Sequence, residues 1–193
     1  MNQPAVETRK DQILRVAGKR FAASGFNGTS MRDIAGDIGI EAATLYAHFS
    51  GKDNLLHEIC FRKSKQFMLA IEDVNDLYFN AEQKLRMAIH NHVEIITGDV
   101  DAAHVFFNEW KHLKEADLNT LKQLRHQYEQ AFRQIITEGE NENLFEETDK
   151  QFAVLTILSS VNWISEWYNP EGKLKPAEIA DKITDFILKG LRK

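Results

Sequence analysis

Apolar residues recur three and four positions apart along almost the whole chain. Ile13, Leu14, Ala17 and Phe21 mark a first helix from about Thr8 to Ser24, which Gly25 stops. Met31, Ile34, Ala35 and Ile38 mark a short second helix, closed by Gly39, and Ile40 then points back to the core. Ala42 to Phe49 forms a third, with Leu45 and Phe49 inward and Ala43, Thr44, Tyr46 and Ala47 outward. Leu55, Leu56, Ile59, Cys60, Phe67 and Ile71 mark the buried side of a long fourth helix, Lys52 to about Asn75. Further helices are expected over 81–97, 99–114, 117–138, 148–168 and 176–191. The breaks between them fall at Asn80, at Gly98, around Ala116, at Gly139 to Glu147 and at Asn169 to Gly172. With no alternating strand pattern, no glycine-rich phosphate loop and no repeat, the fold class is all-α, with about nine helices.

Two start signals sharpen the amino-terminal part. Ser30-x-x-Asp33 and Ser50-Gly51-Lys52-Asp53 both fit the capping box, in which a hydroxyl takes an orphan N–H and an acid sits on the positive helix end. Two short helices joined by a glycine turn, the second showing small residues, a hydroxyl and a tyrosine, match a helix-turn-helix DNA reader.

From about Thr8 to Leu56 the order of residues resembles the DNA-binding domain of the TetR family of transcriptional regulators. The resemblance is carried by Ile13-Leu14, Ala17, Phe21, Gly25-Phe26, Thr29-Ser30, Ile34-Ala35, Gly39-Ile40, Thr44-Leu45-Tyr46, His48-Phe49, Lys52 and Leu55-Leu56. It implies a three-helix DNA-binding domain over residues 6–60, with its motif at about 30–49. Residues 61–193 would then form a helical ligand-binding and dimerisation domain. Thr29, Ser30, Tyr46, His48 and Lys52 are the phosphate candidates, while Ala42, Ala43, Thr44 and Glu41 lie nearest the base edges. Glu41 stands where the family commonly has a small polar residue. An acid there favours the helix start, repels phosphate and can accept from a cytosine amino group.

The family forms its dimer from the last two helices. On that basis Phe152, Leu155, Ser159, Ile183, Phe186 and Ile187 are the expected interface. Two copies would meet half-sites one DNA turn apart, ~34 Å. Aromatic and polar residues cluster at 104–112, 128–132 and 163–168, and the ligand candidates are His104, Phe107, Asn108, Trp110, Tyr128, Phe132, Trp163 and Trp167. Asn162-Trp163, Glu166-Trp167-Tyr168-Asn169-Pro170, Gly172, Leu174 and Glu178-Ile179-Ala180 resemble TetR regulators of acyl-CoA and fatty-acid metabolism. That resemblance implies a repressor released by a small lipophilic effector, an acyl-CoA or a fatty acid.

Composition narrows the classes further. The net charge is −5, yet residues 1–60 carry seven bases and seven acids, so the excess acid lies beyond residue 60. A neutral reader must use helix ends, hydroxyls and a second copy to hold DNA. Cys60 alone forms no intrachain disulfide and no cysteine-based zinc site. The amino terminus reads as no secretory signal, and the apolar run 152–164 is too short to cross a bilayer, so a cytoplasmic protein is expected. Glu109-x-x-His112 matches half of a di-iron bundle signature, but no second such pair occurs, so no metal and no cofactor is expected. The alternatives are an all-helical metal-dependent enzyme and a ligand-independent DNA-binding or dimerisation protein.

Overall fold

The computed structural model describes residues 7–193, so residue 6, where the reading domain is expected to begin, lies outside the described residues. Among the described residues there are ten α-helices, one 3-10 turn and no strand. They divide into two compact units.

The first unit takes the described part of Met1–Arg62 together with Asp101–Leu118. Helix α1 (Arg9–Ser24) is capped by Thr8, whose hydroxyl oxygen accepts from Asp11 N at 3.2 Å. Its stripe of Ile13, Leu14, Ala17 and Phe21 is buried. Helices α2 (Met31–Ile38) and α3 (Ala42–His48) pack on one another through Ile34, Ala35 and Leu45. Helix α4 (Lys52–Asn75) enters with Leu55, Leu56, Ile59 and Cys60 buried. Helix α6 (Val100–Asn108) and the 3-10 turn Trp110–His112 complete the unit. The spacing predicts a single helix over 99–114. It stops instead at Asn108, whose side-chain amide donates to His104 O at 3.1 Å, a local rival to the backbone ladder.

The second unit takes Lys63–Val100 and Asn119–Lys193. Helix α5 (Ala81–Gly98) is its axis, with α10 (Pro176–Leu191) lying along it. Helix α8 (Lys150–Asn162) and the single turn α9 (Ile164–Trp167) also pack on α5. Helix α7 (Glu115–Asn141) runs past the expected break at Gly139, because Phe145 folds back onto the space a side chain at 139 would fill. Leu144 N and Phe145 N both donate to Gly139 O, at 2.9 and 3.0 Å, closing the helix end. Residues 148–168, expected as one helix, are interrupted at Trp163. Ser165 Oγ donates to Asn162 O at 2.9 Å, and Glu166 N turns instead to Trp163 O at 3.1 Å. Counting α8 and α9 as one interrupted rod gives the nine expected.

Candidate nucleic-acid interface

The reading motif is built by local chemistry. Ser30 Oγ accepts from Asp33 N at 3.2 Å, and Asp33 Oδ2 accepts from Ser30 N at 2.8 Å and from the Ser30 hydroxyl at 2.7 Å. These bonds hold the Asp33 carboxyl below its ordinary pKa. Gly39 takes φ 74° and ψ 38°, the left-handed cap that glycine adopts freely, and Ile40 N reaches back to Ala35 O at 3.0 Å. The chain thus turns within three residues and starts α3, which buries Leu45 and leaves Ala43, Thr44, Tyr46 and Ala47 exposed. Glu41 is the exposed N-cap of α3 and makes no side-chain cap bond. Ala42 and His48 are half-buried at the two ends of this face.

Two phosphate candidates have other partners. Thr29 is buried, and its hydroxyl donates to Gly25 O at 2.9 Å, so it fixes the loop before α2 and does not face solvent. Lys52 is half-buried, with Nζ donating to Phe26 O at 2.8 Å and sitting 4.3 Å from the centre of the Phe26 ring. Ser30 is exposed, as expected, although its hydroxyl already serves Asp33.

Phe26 is a junction that periodicity does not single out. Besides Lys52, its ring stacks on His112 at 5.4 Å between centroids, 17° from parallel, and its N–H donates to Glu109 Oε2 at 3.0 Å. His112 Nε2 lies 3.5 Å from the same carboxylate oxygen. Glu109 and His112, which match half of a metal motif, are therefore spent on the loop between α1 and α2. Among the described residues no group of three His, Cys, Asp or Glu side chains could hold a metal ion.

The ligand candidates divide between the units. His104, Phe107, Asn108 and Trp110 belong to the first, and Tyr128, Phe132, Trp163 and Trp167 to the second. In the second unit Tyr128 packs its ring on Phe132 and Phe67, at 5.3 and 5.7 Å, and its hydroxyl lies 2.8 Å from His92 Nδ1. His92 is 2% exposed, and its Nε2 lies 2.9 Å from Asn162 Oδ1. An amide oxygen only accepts, so Nε2 carries the proton and Nδ1 accepts from the Tyr128 hydroxyl. Burial pushes the His92 imidazole down to about 3, against the bond to Asn162, which acts upward. Burial pushes the Tyr128 phenol up. Trp163 and Trp167 do not join this cluster: the interruption after Asn162 turns both outward, 64% and 45% exposed. Asn162 takes the inward place, and His92 hides in the sequence because it sits within the apolar stripe Leu85, Ala88, Ile89, Val93 and Ile96.

The last two long helices carry unburied apolar residues. Phe152 is 69% exposed, Phe186 81%, and Leu155 and Ser159 face solvent beside them. Ile183 is half-buried, whereas Ile187 is buried within its own unit and offers little to a partner.

Comparison with known proteins fits both units. Residues 13–59 match the profile described as bacterial regulatory proteins, tetR family, and residues 79–191 match tetracyclin repressor-like, C-terminal domain. The chain belongs to the TetR family of transcriptional regulators. Members of this family bind DNA and are regulators rather than enzymes. The repressor KstR2 of Mycobacterium tuberculosis is 23% identical over 190 residues, covering 97% of this chain and 95% of that one. A fatty acid metabolism regulator protein of Bacillus subtilis is 21% identical over 182 residues, covering 93% and 94%. Among solved structures, the regulator PfmR of Thermus thermophilus superposes with a TM-score of 0.86 at 29% identity, covering 95% of this chain and all of that one. AibR, solved with isovaleryl coenzyme A and operator DNA, superposes at 0.81 with 23% identity, covering 93% and 97%. No described helix of this TetR-family chain is long and apolar enough to cross a membrane.

Proposed function

We propose that the protein is a homodimeric, operator-specific repressor of the cytoplasm, released from DNA by an effector carrying an acyl group. The observation that carries the reading is the exposed face of α3. Its small residues let backbone approach base edges, while Thr44 and Tyr46 supply hydroxyls for the phosphates on either side. Glu41 at the mouth of α3 suits a cytosine amino group and penalises a phosphate, which narrows where the helix can sit. Ser30 and His48 flank this face, and Lys52 supports it from within through Phe26.

The exposed Phe152, Leu155 and Phe186 support a dimer, since apolar residues gathered on one helix pair mark an interaction surface. The acyl class is supported by AibR, with its isovaleryl coenzyme A, and by the Bacillus regulator of fatty acid metabolism. The release reading draws support from both units. Helix α4 supplies side chains to both, and the segment bearing His104, Phe107, Asn108 and Trp110 also bears Glu109 and His112, which hold Phe26. An effector that binds one arrangement of these groups better than another lowers operator affinity by that difference alone.

Selection of a random duplex library on the wild-type protein supplies the operator for the test. The double variant Thr44→Ala, Tyr46→Ala should then lose operator retardation in a gel while keeping helicity and sedimentation. Unchanged retardation would sink the assignment of α3 as reader.

A further inference from the structure

The second unit buries two lysines, and they are treated differently. Lys84 is 9% exposed, and its ammonium meets a carboxylate, Glu138 Oε2, at 2.9 Å. Lys63 is more deeply placed, 5% exposed, and among the described residues its Nζ meets one acceptor, the carbonyl oxygen of Ile95, at 2.9 Å. No carboxylate lies within ion-pair distance of it among the described residues. Asp99 acts on it only through its field and does not offset the desolvation that pushes the ammonium down.

A buried ammonium has three protons to place and a large solvation energy to replace. One carbonyl answers one proton. That carbonyl is a helix-terminal group of α5, so Lys63 does act as a cap. A cap does not need to be buried, however, and lysine can satisfy a helix end from the surface with its head in water.

Aromatic and polar side chains stand one turn away. Phe67, one turn along α4 from Lys63, lies 4.5 Å from the His92 ring by centroids and 5.7 Å from that of Tyr128. Ser64, beside Lys63, is also buried. A buried cation is thus set one helical turn from an aromatic and polar cluster, the kinds of side chain that line small-molecule sites.

We infer that Lys63 is an effector-binding residue whose ammonium takes the acyl oxygen of the ligand, a fatty carboxylate or the carbonyl of an acyl thioester. The inference rests on the acyl-effector reading above and adds the group that reads the acyl head. The ligand supplies the acceptor that the protein withholds from Lys63 and provides to Lys84.

Decanoate and decanoyl-coenzyme A are the two probes, measured by calorimetry on the wild type and on Lys63→Met, a shape-conserving change that removes the charge. The wild type should bind one or both, and the variant should bind the same probe about 30-fold more weakly, the worth of a hydrogen bond to a charged group. Binding of decanoate alone names the carboxylate, and binding of the thioester alone names the carbonyl. Equal affinity in variant and wild type overturns the role of Lys63 and leaves the acyl reading intact, with Lys63 reduced to a cap seen only as a fall in melting temperature. Failure of both probes to bind the wild type overturns both readings. If Lys63→Met does not fold, the wild type labelled with carbon-13 lysine answers the same question. The Lys63 Cε resonance should shift and saturate with the bound probe, and an unmoved resonance rejects the contact.

Discussion

The imidazole of His92 shows what one buried side chain does to the stability of the whole chain. It is neutral in the fold, held between the Tyr128 hydroxyl and Asn162, with its pKa pushed down to about 3. In the unfolded chain it titrates near ~6.5. Between those values the unfolded state carries a proton that the folded state refuses, so the free energy of unfolding falls as pH drops from about 6.5 towards 3. The slope approaches about 1.4 kcal/mol per pH unit over that window. Urea titrations at successive pH values should show it, and His92→Gln should flatten the slope whatever it does to the level. A slope unaltered by the substitution would assign the acid sensitivity to other groups. This residue is not legible in the sequence, since a histidine within an apolar stripe reads the same whether bonded or idle. Its partners lie 36 and 70 residues away in the chain.

Helices declare their ends where the signal is local. Ser30 with Asp33, Gly25 and Gly39 each set a boundary through atoms a few residues apart, and the structure places those boundaries where the spacing does. The internal breaks escape the spacing where the deciding atom comes from elsewhere or from a competing side chain. Trp163 turns outward because Ser165 captures Asn162 O, and Thr29 turns inward because Gly25 O is within reach. Helix α7 continues through Gly139 because Phe145 needs the space, which periodicity reads as a glycine stop. Gly139→Ala should therefore destabilise the fold, by about 2 kcal/mol or more, since the methyl and the Phe145 ring would compete for one volume. A guanidinium midpoint unchanged by the substitution would show that the ring moves aside at no cost.

At the scale of the molecule, family and fold class are legible because they rest on many short-range repeats in fixed order. The grouping of Asp101–Leu118 with the amino-terminal unit is not, since it rests on meetings such as Glu109 with Phe26 N, 83 residues apart. The apolar face of α8 and α10 yields a prediction about assembly. Phe186 is 81% exposed, so Phe186→Glu leaves the protomer core untouched while putting a charge where a partner would lie. On the proposed dimer, sedimentation should report a shift to monomer, together with loss of operator retardation, because each half-site would be held by one reader alone. A variant that stays dimeric would move the interface away from α10.

The junction at Phe26 divides its dependence unevenly between side chain and backbone. Glu109 takes the Phe26 N–H and Lys52 takes the Phe26 carbonyl, atoms that every residue but proline supplies in full. The ring itself serves the His112 stack, the ammonium above it and a tilted contact with Phe21 at 5.4 Å between centroids, and it is buried. Mutational tolerance should follow that division. A smaller residue at position 26 keeps these backbone tethers and loses the buried ring, while a change at Glu109 removes one tether outright, whatever residue stands at 26.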